Sequence, residues 1–305
     1  MKDHICILEF PSNLGLKEPF AGHEPGVKKL PDFLRTHHFH SSLKASSVIK
    51  LAPPGYSMDL DEISGVRNAG EIIKYAKEQS VILQKVLSEN KFPMIIGGDC
   101  SILIGNSLAL KEMGEFALFF LDGHTDFMWP SLSQTGGASG MDLAIVTGYG
   151  HDKLTNINGQ KPYFEEQNVW CVGNRDYEEW YVKAIEDSDI NYTDLKLLRK
   201  IGIEQTISDF LQMIKDRNLK GFWIHIDVDV LNDQIMPAVD SRQPNGLEYH
   251  QFNKILNLLL SDHHARGLEI TILDPELDPT GIYTKNFVAN FCSTVNSTPI
   301  SNIGI

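Results

Sequence analysis

Leu118-Phe119-Phe120-Leu121-Asp122-Gly123-His124-Thr125-Asp126 is an apolar run that ends in three potential metal ligands, each two residues from the next. A run of large apolar residues on both faces is how a central parallel strand reads. Where the backbone stays extended, alternation points Asp122, His124 and Asp126 the same way, so their ligand atoms converge. Phe222-Trp223-Ile224-His225-Ile226-Asp227-Val228-Asp229 repeats the pattern, a strand ending in carboxylates two apart. In Met94-Ile95-Ile96-Gly97-Gly98-Asp99-Cys100 the glycines allow a tight turn at a third strand end before a helix begins.

Working outward, short apolar runs at 5–8, 93–96, 117–121, 169–172, 221–226 and 267–273 predict strands. Amphipathic stretches at 65–90, 101–112, 178–185, 203–217, 249–262 and 284–291 predict helices between them. The alternation is that of an α/β chain with a mostly parallel sheet flanked by helices. Neither a repeat nor a low-complexity linker divides it, so residues 1–305 read as a single doubly wound domain. Two stretches, 23–64 and 129–163, read as long turn-rich loops beside strand ends, where open α/β sheets place their ligands.

The net charge of -13 at pH 7 argues against nucleic-acid or anionic-membrane partners, which would repel the chain, and attracts cations. No basic segment precedes an apolar one at the start, and no apolar run approaches the ~18 residues of a membrane span. Cys6, Cys100, Cys171 and Cys292 are widely spaced without a CxxC pair. The expectation is a cytoplasmic enzyme acting on a small molecule.

Asp122, Asp126, Asp227 and Asp229 gathered at neighbouring strand ends without a counter-ion would cost several kcal/mol or force protonation. Carboxylates with an imidazole suit two divalent cations, manganese foremost, ~3.5–4 Å apart and bridged by a water. Asp99, just before a helix, reads as a helix cap rather than a ligand.

At these residues the chain resembles the arginase/agmatinase (ureohydrolase) family, whose turn GGDHS and strand ends DAHxD and DxDxxDP appear here as Gly97 to Ser101, Asp122 to Asp126 and Asp227 to Asp233. Gly173-Asn174-Arg175-Asp176, the stretch from Met236 to Leu247, and the strand closing on Pro275 to Asp278 extend the resemblance over most of the chain. It implies a three-layer α-β-α fold with a mostly parallel central sheet of about eight strands. Also implied is a first metal held by Cys100, Asp122, Asp126 and Asp227. The second would be held by His124, Asp122, Asp227 and Asp229. A metal-bridging hydroxide would then attack a planar carbon bonded to nitrogen, as in hydrolysis of a non-peptide C–N bond. Asp126 enters as a catalytic residue as well as a ligand, and Glu178 falls where some members read a substrate's α-amino group. A homo-oligomer, trimer or hexamer, is implied by the same resemblance.

Three departures narrow the expectation. Cys100 replaces the usual histidine, so four Asp and one Cys set -5 against the +4 of two divalent ions; the softer sulfur moves preference toward zinc or iron. The family's HG motif becomes Ser139-Gly140-Met141, which keeps Ser139 as a substrate-binding position but loses a proton-donor imidazole; His151 is a nearby substitute. The family's guanidinium-binding glutamate becomes Ile272, and Arg242 appears in the stretch after the second Asp pair as a substrate-binding candidate that, pointing inward, would favour a neutral or anionic group. The sequence thus points to a hydrolase of an amidine, guanidino derivative or linear amide that is not an ordinary arginase or agmatinase. The alternative is a catalytically impaired relative that binds a metabolite or partner.

Overall fold

The computed structural model describes residues 5–299. Eight strands form one sheet: β1 (Ile5–Phe10), β2 (Ser47–Lys50), β3 (Phe92–Gly97), β4 (Ala117–Leu121), β5 (Val169–Val172), β6 (Asn191–Thr193), β7 (Phe222–Asp227) and β8 (Ala265–Thr271). Their spatial order is β2-β1-β3-β8-β7-β4-β5-β6, and every neighbouring pair is parallel. All eight carboxyl ends therefore lie on one edge. The turns after β3, β4 and β7, the three read as ligand-bearing, are neighbours there, with β8 between β3 and β7.

The central strands are buried on both faces, which is why they read as unbroken apolar runs. One face packs through Phe119, Phe222, Ile224 and Leu268 onto the helices Ile203–Asp216, Tyr249–Ser261 and Ile282–Ser297. The opposite face packs through Leu118, Phe120, Ile95 and Trp223 under the helices Ala69–Ser88 and Ile102–Met113. Along Ala69–Ser88 the buried Ile72, Tyr75, Ala76, Gln79, Leu83, Val86 and Leu87 recur at helical three- and four-residue spacing. Each large apolar side chain so buried contributes about 1.5–3 kcal/mol of transfer free energy. The helices on both faces make the three layers that the sequence predicts.

The structure corrects the sequence reading in four places. The stretch 129–163, read as a long turn-rich loop, holds the short helices Asp142–Val146 and Asp152–Thr155. Edge strands β2 and β6 were not predicted, because their burial is partial and their residues mostly polar or charged. The stretch 23–64 is not simply turn-rich: it holds the helices Leu30–Thr36 and Phe39–Leu43, anchored by buried Leu30, Leu34, Phe39 and Leu43. The last strand spans Ala265–Thr271 instead of 267–273, because Ile272 turns out of it at φ 74. That left-handed conformation is an outlier for a β-branched residue.

Candidate metal centre

At the end of β3 the backbone of Gly98 presses on the Ser12 carbonyl so closely that a side chain would collide with it. The turn hands the chain to Cys100, whose thiol is fully buried. Its Sγ lies 3.0 Å from Asp227 Oδ2 and 3.1 Å from Thr271 Oγ1. Asp99, beside it, accepts hydrogen bonds from the Ser12 hydroxyl, the Ser139 hydroxyl and the Ser101 backbone N–H at 2.8–2.9 Å. These bonds spend its carboxylate on fixing the helix entrance, consistent with the reading of Asp99 as structural.

After β4 the Asp122 carboxylate curls back to accept the His124 backbone N–H at 2.6 Å. His124 Nδ1 lies 2.8 Å from Asp229 Oδ2 and 3.7 Å from Asp122 Oδ1. Asp229 Oδ1 accepts the Gly123 N–H at 3.0 Å, and Asp227 Oδ1 accepts the Asp229 N–H at 2.8 Å. Backbone donors thus hold one oxygen of each of Asp122, Asp227 and Asp229. The other Asp122 oxygen, Oδ2, is buried with no hydrogen-bond partner among the described residues.

Two ligand trios follow. Cys100, Asp122 and Asp227 offer ligand atoms within 4.8 Å of one another, and so do Asp122, His124 and Asp229. Asp122 is common to both. An orphaned carboxylate oxygen between a thiol, an imidazole and two further carboxylates is a donor set that fits divalent cations. The electrostatics agree. Burial first, then the neighbouring carboxylates, push Asp122 and Asp227 well above the usual carboxylate range. Burial and Asp227 likewise raise the Cys100 thiol. Burial lowers His124, but the Asp229 and Asp122 carboxylates outweigh it and hold its pKa up to about 9.

Other predicted residues are placed unevenly. Asp126, at φ 42, lines the cavity over the two trios but joins neither of them. Ser139 lines the same cavity, with its hydroxyl committed to Asp99. His151 does not line it: the ring is exposed, and Nδ1 accepts the Lys153 N–H at 3.1 Å to cap the helix Asp152–Thr155. Its proposed part as substitute proton donor is therefore corrected, since the helix it caps holds it away. Glu178 is exposed at the start of the helix Glu179–Glu186 and does not line the cavity, although Trp180 and Tyr181 behind it do. Arg242 is half exposed and pairs with Asp233 at 3.4 Å. It opens onto a neighbouring cavity, not this one, so it cannot make the trios' cavity favour an anion.

The cavity measures about 320 Å³. Ile272, Met128, Trp180 and Leu16 give it apolar walls, while Asp240 stands at the boundary with the neighbouring cavity. Sequence reasoning missed Arg175 as a site residue: its Nη2 donates to the Asp229 carbonyl at 2.6 Å and to the Gln243 carbonyl at 3.1 Å. Tyr181 was also missed; its hydroxyl accepts the Thr125 N–H at 2.9 Å, steadying the turn that carries His124. Two more were missed beneath the trios, the fully buried Asp142 and His225. His225 had a legible signal, because strand alternation puts it on the same face as Asp227.

The sequence profile of the Arginase family matches residues 19–296. The arginase of Staphylococcus aureus (strain COL) is 27% identical over 273 residues, covering 87% of this chain and 90% of that protein. Among solved structures, the arginase of Bacillus caldovelox superposes with a TM-score of 0.86 at 22% identity, over 97% of this chain and 99% of that one. The formimidoylglutamase of Bacillus subtilis superposes with a TM-score of 0.69 at 19% identity, over 97% and 88% of the two chains.

Proposed function

We propose that this chain, which belongs to the arginase family, hydrolyses an amidine, guanidino derivative or linear amide other than L-arginine or agmatine. Family members act on C–N bonds outside peptides, and this chain is a hydrolase of that kind. The finer reading rests on one observation. Ile272, buried and lining the cavity beside Cys100, presents an apolar wall where the resemblance leads one to expect a carboxylate for a cationic guanidinium. Leaving such a cation unpaired in a partly desolvated site costs several kcal/mol.

Cys100, Asp122 and Asp227 would hold one cation, and Asp122, His124 and Asp229 the other. Two divalent cations there would lower the pKa of a shared water toward neutrality and stabilise negative charge developing on the substrate. The protein groups do the rest. Asp126, lining the cavity outside both trios, is positioned to take the proton of the attacking water and deliver it to the departing amine. Burial and the Asp229 carboxylate raise its pKa, which suits a group that must carry that proton. Ile272, Met128 and Trp180 flank the reacting centre with apolar surface, and Tyr181 with Arg175 keeps the ligand-bearing turns in register. The same resemblance supports a homo-oligomer.

A specific observation favours the second reading, a metabolite- or partner-binding relative: among the residues lining the cavity, His124 is the sole imidazole. Assaying urea and ammonia release from a panel of guanidino, amidino and linear amide compounds, with manganese or zinc loaded, separates the two. The expected result is turnover of at least one compound at a kcat/KM well above that for L-arginine. L-Arginine as the best substrate overturns the specificity reading, and no turnover at all leaves the binding reading.

A further inference from the structure

Below the layer of Asp122 and Asp227 lies a second buried polar layer. His225 precedes Asp227 by two residues on β7 and so faces the same way. In register across the sheet, its neighbours are Phe120 of β4 and Glu269 of β8. The imidazole stacks on the Phe120 ring, centroids 4.5 Å apart and planes 7° from parallel. Its Nδ1 lies 2.7 Å from Glu269 Oε1, and the other Glu269 oxygen accepts from the Asn106 side chain on the helix Ile102–Met113. The opposite ring nitrogen, Nε2, is buried and has no hydrogen-bond partner among the described residues.

Asp142 faces this layer from the short helix Asp142–Val146. Its Oδ1 accepts the Leu143 N–H, and Oδ2 is buried without a partner among the described residues. Both residues are fully buried. Cys100, Asp142 and His225 offer ligand atoms within 4.8 Å of one another, a third trio that meets the first only at the sulfur. Leaving two such polar atoms buried and unpaired costs about 1–3 kcal/mol each. The carboxylate on Nδ1 matters as well. A histidine that ligates through one nitrogen characteristically gives the other N–H to a carboxylate, which fixes the tautomer and strengthens the donor.

We propose that Cys100, Asp142 and His225 form a binding site for a borderline-soft divalent cation of the zinc or cobalt(II) class, one layer deeper in the sheet than the Asp122–His124–Asp229 trio. The ligand set is one sulfur, one nitrogen and one carboxylate oxygen, which selects zinc over manganese. A thiolate, a carboxylate and a neutral imidazole set -2 against the +2 of the ion. The first trio would set -3 and compete for Asp122 with the outer cation. In this arrangement the imidazole that the sequence lacks at position 100 is supplied from β7, across the intervening β8, and Cys100 serves the deeper ion in place of the first trio, so that Asp122 and Asp227 are left to the outer ion. The site rests on ligand geometry alone and does not depend on which substrate the cavity takes.

X-ray absorption on the wild-type protein, stripped of metal and given one equivalent of zinc, tests the site directly. The expected zinc environment contains one sulfur and one imidazole on the same ion. A sulfur with oxygen neighbours only, oxygen and nitrogen without sulfur, or no bound zinc overturns the proposal. Cobalt(II) titrations of wild type, His225→Asn and Asp142→Asn give a second readout, since His225→Asn keeps a donor for Glu269 while removing Nε2. Loss of a ligand should weaken cobalt binding, followed by its thiolate charge-transfer band, by at least about tenfold in each variant. Unchanged affinity in either variant overturns the proposal, and the wild-type absorption spectrum decides it if the variants do not fold. Neither readout uses turnover, so failure of the substrate reading leaves both intact.

Discussion

Cys100 Sγ and Asp227 Oδ2 face each other at 3.0 Å across the carboxyl ends of β3 and β7, a contact between residues 127 positions apart. Cys100→His should move the chain toward harder cations: manganese affinity rises about tenfold, ~1.4 kcal/mol, and zinc affinity falls. Competition titrations against a chelator read both. Unchanged affinity for both ions would mean that the sulfur ligates neither.

Metal uptake should release protons and tighten as pH rises. In the metal-free protein Cys100 is held as a thiol by burial and Asp227, and His124 carries its proton up to about 9. Ligation needs both lone pairs, so affinity grows with pH through the His124 titration and goes on growing until the Cys100 thiol has also lost its proton. Calorimetry in buffers of different ionisation enthalpy measures the protons released at pH 7. The same raised pKa has a stability consequence with the opposite sign. Without metal, the His124–Asp229 pair contributes stability that is complete below about 6.5 and is lost as pH rises through about 9. Denaturant melts of chelator-treated protein should show this decline.

Asp229→Asn should destabilise the metal-free protein by about 3 kcal/mol, since it removes the partner of a mostly buried His124. Urea unfolding with chelator present reads this value. A loss under 1 kcal/mol would show that the neutral amide replaces the carboxylate adequately.

Ile272→Glu should raise kcat/KM for cationic guanidino compounds at least about tenfold relative to neutral amidines, by placing a charge partner on the cavity wall. Steady-state urea release for each compound measures the ratio. An unaltered ratio would show that substrate charge is read elsewhere, with Asp240 the next residue to substitute.

His151→Ala and Arg242→Ala should leave kcat within about twofold. His151 is exposed and caps a four-residue helix, so its loss costs roughly 0.5 kcal/mol of stability. Arg242 is half exposed on its ion pair, and such substitutions stay within about 0.5 kcal/mol. A large fall in kcat for His151→Ala, measured with the best compound of the panel, would restore it as a proton donor.

How much of this was written in the sequence depends on the range over which each feature is decided. Leu118 to Leu121 is apolar on both faces whatever surrounds it, so the central strands and the clustering of Asp122, His124, Asp227 and Asp229 were legible. Strands β2 and β6 owe their existence to a neighbour's open edge, which local composition does not record. Leu30, Leu34, Phe39 and Leu43 carried a helical spacing hidden among Pro, Gly and His. The substrate-side residues were least legible. Glu178, Arg242 and His151 sit in loops whose direction is fixed by distant contacts, such as Arg175 reaching the Gln243 carbonyl and Lys153 pairing with Asp61. Asp142 is one carboxylate in a short apolar helix, and its significance appears only once His225 lies beneath it.

The turn at Gly98 has a mechanical consequence for altering this scaffold. Phe10 and Gly97 are paired in register where β1 and β3 end, and Ser12 follows directly over Gly98. Even alanine there would wedge the two strands apart at the edge that carries the cavity, and Asp99 would be pulled from the Ser12 hydroxyl that anchors it. Cys100 would be displaced with the turn. Libraries aimed at new substrates can thus vary the surrounding loops freely, but this joint must be held constant or the sulfur is lost before any specificity is gained.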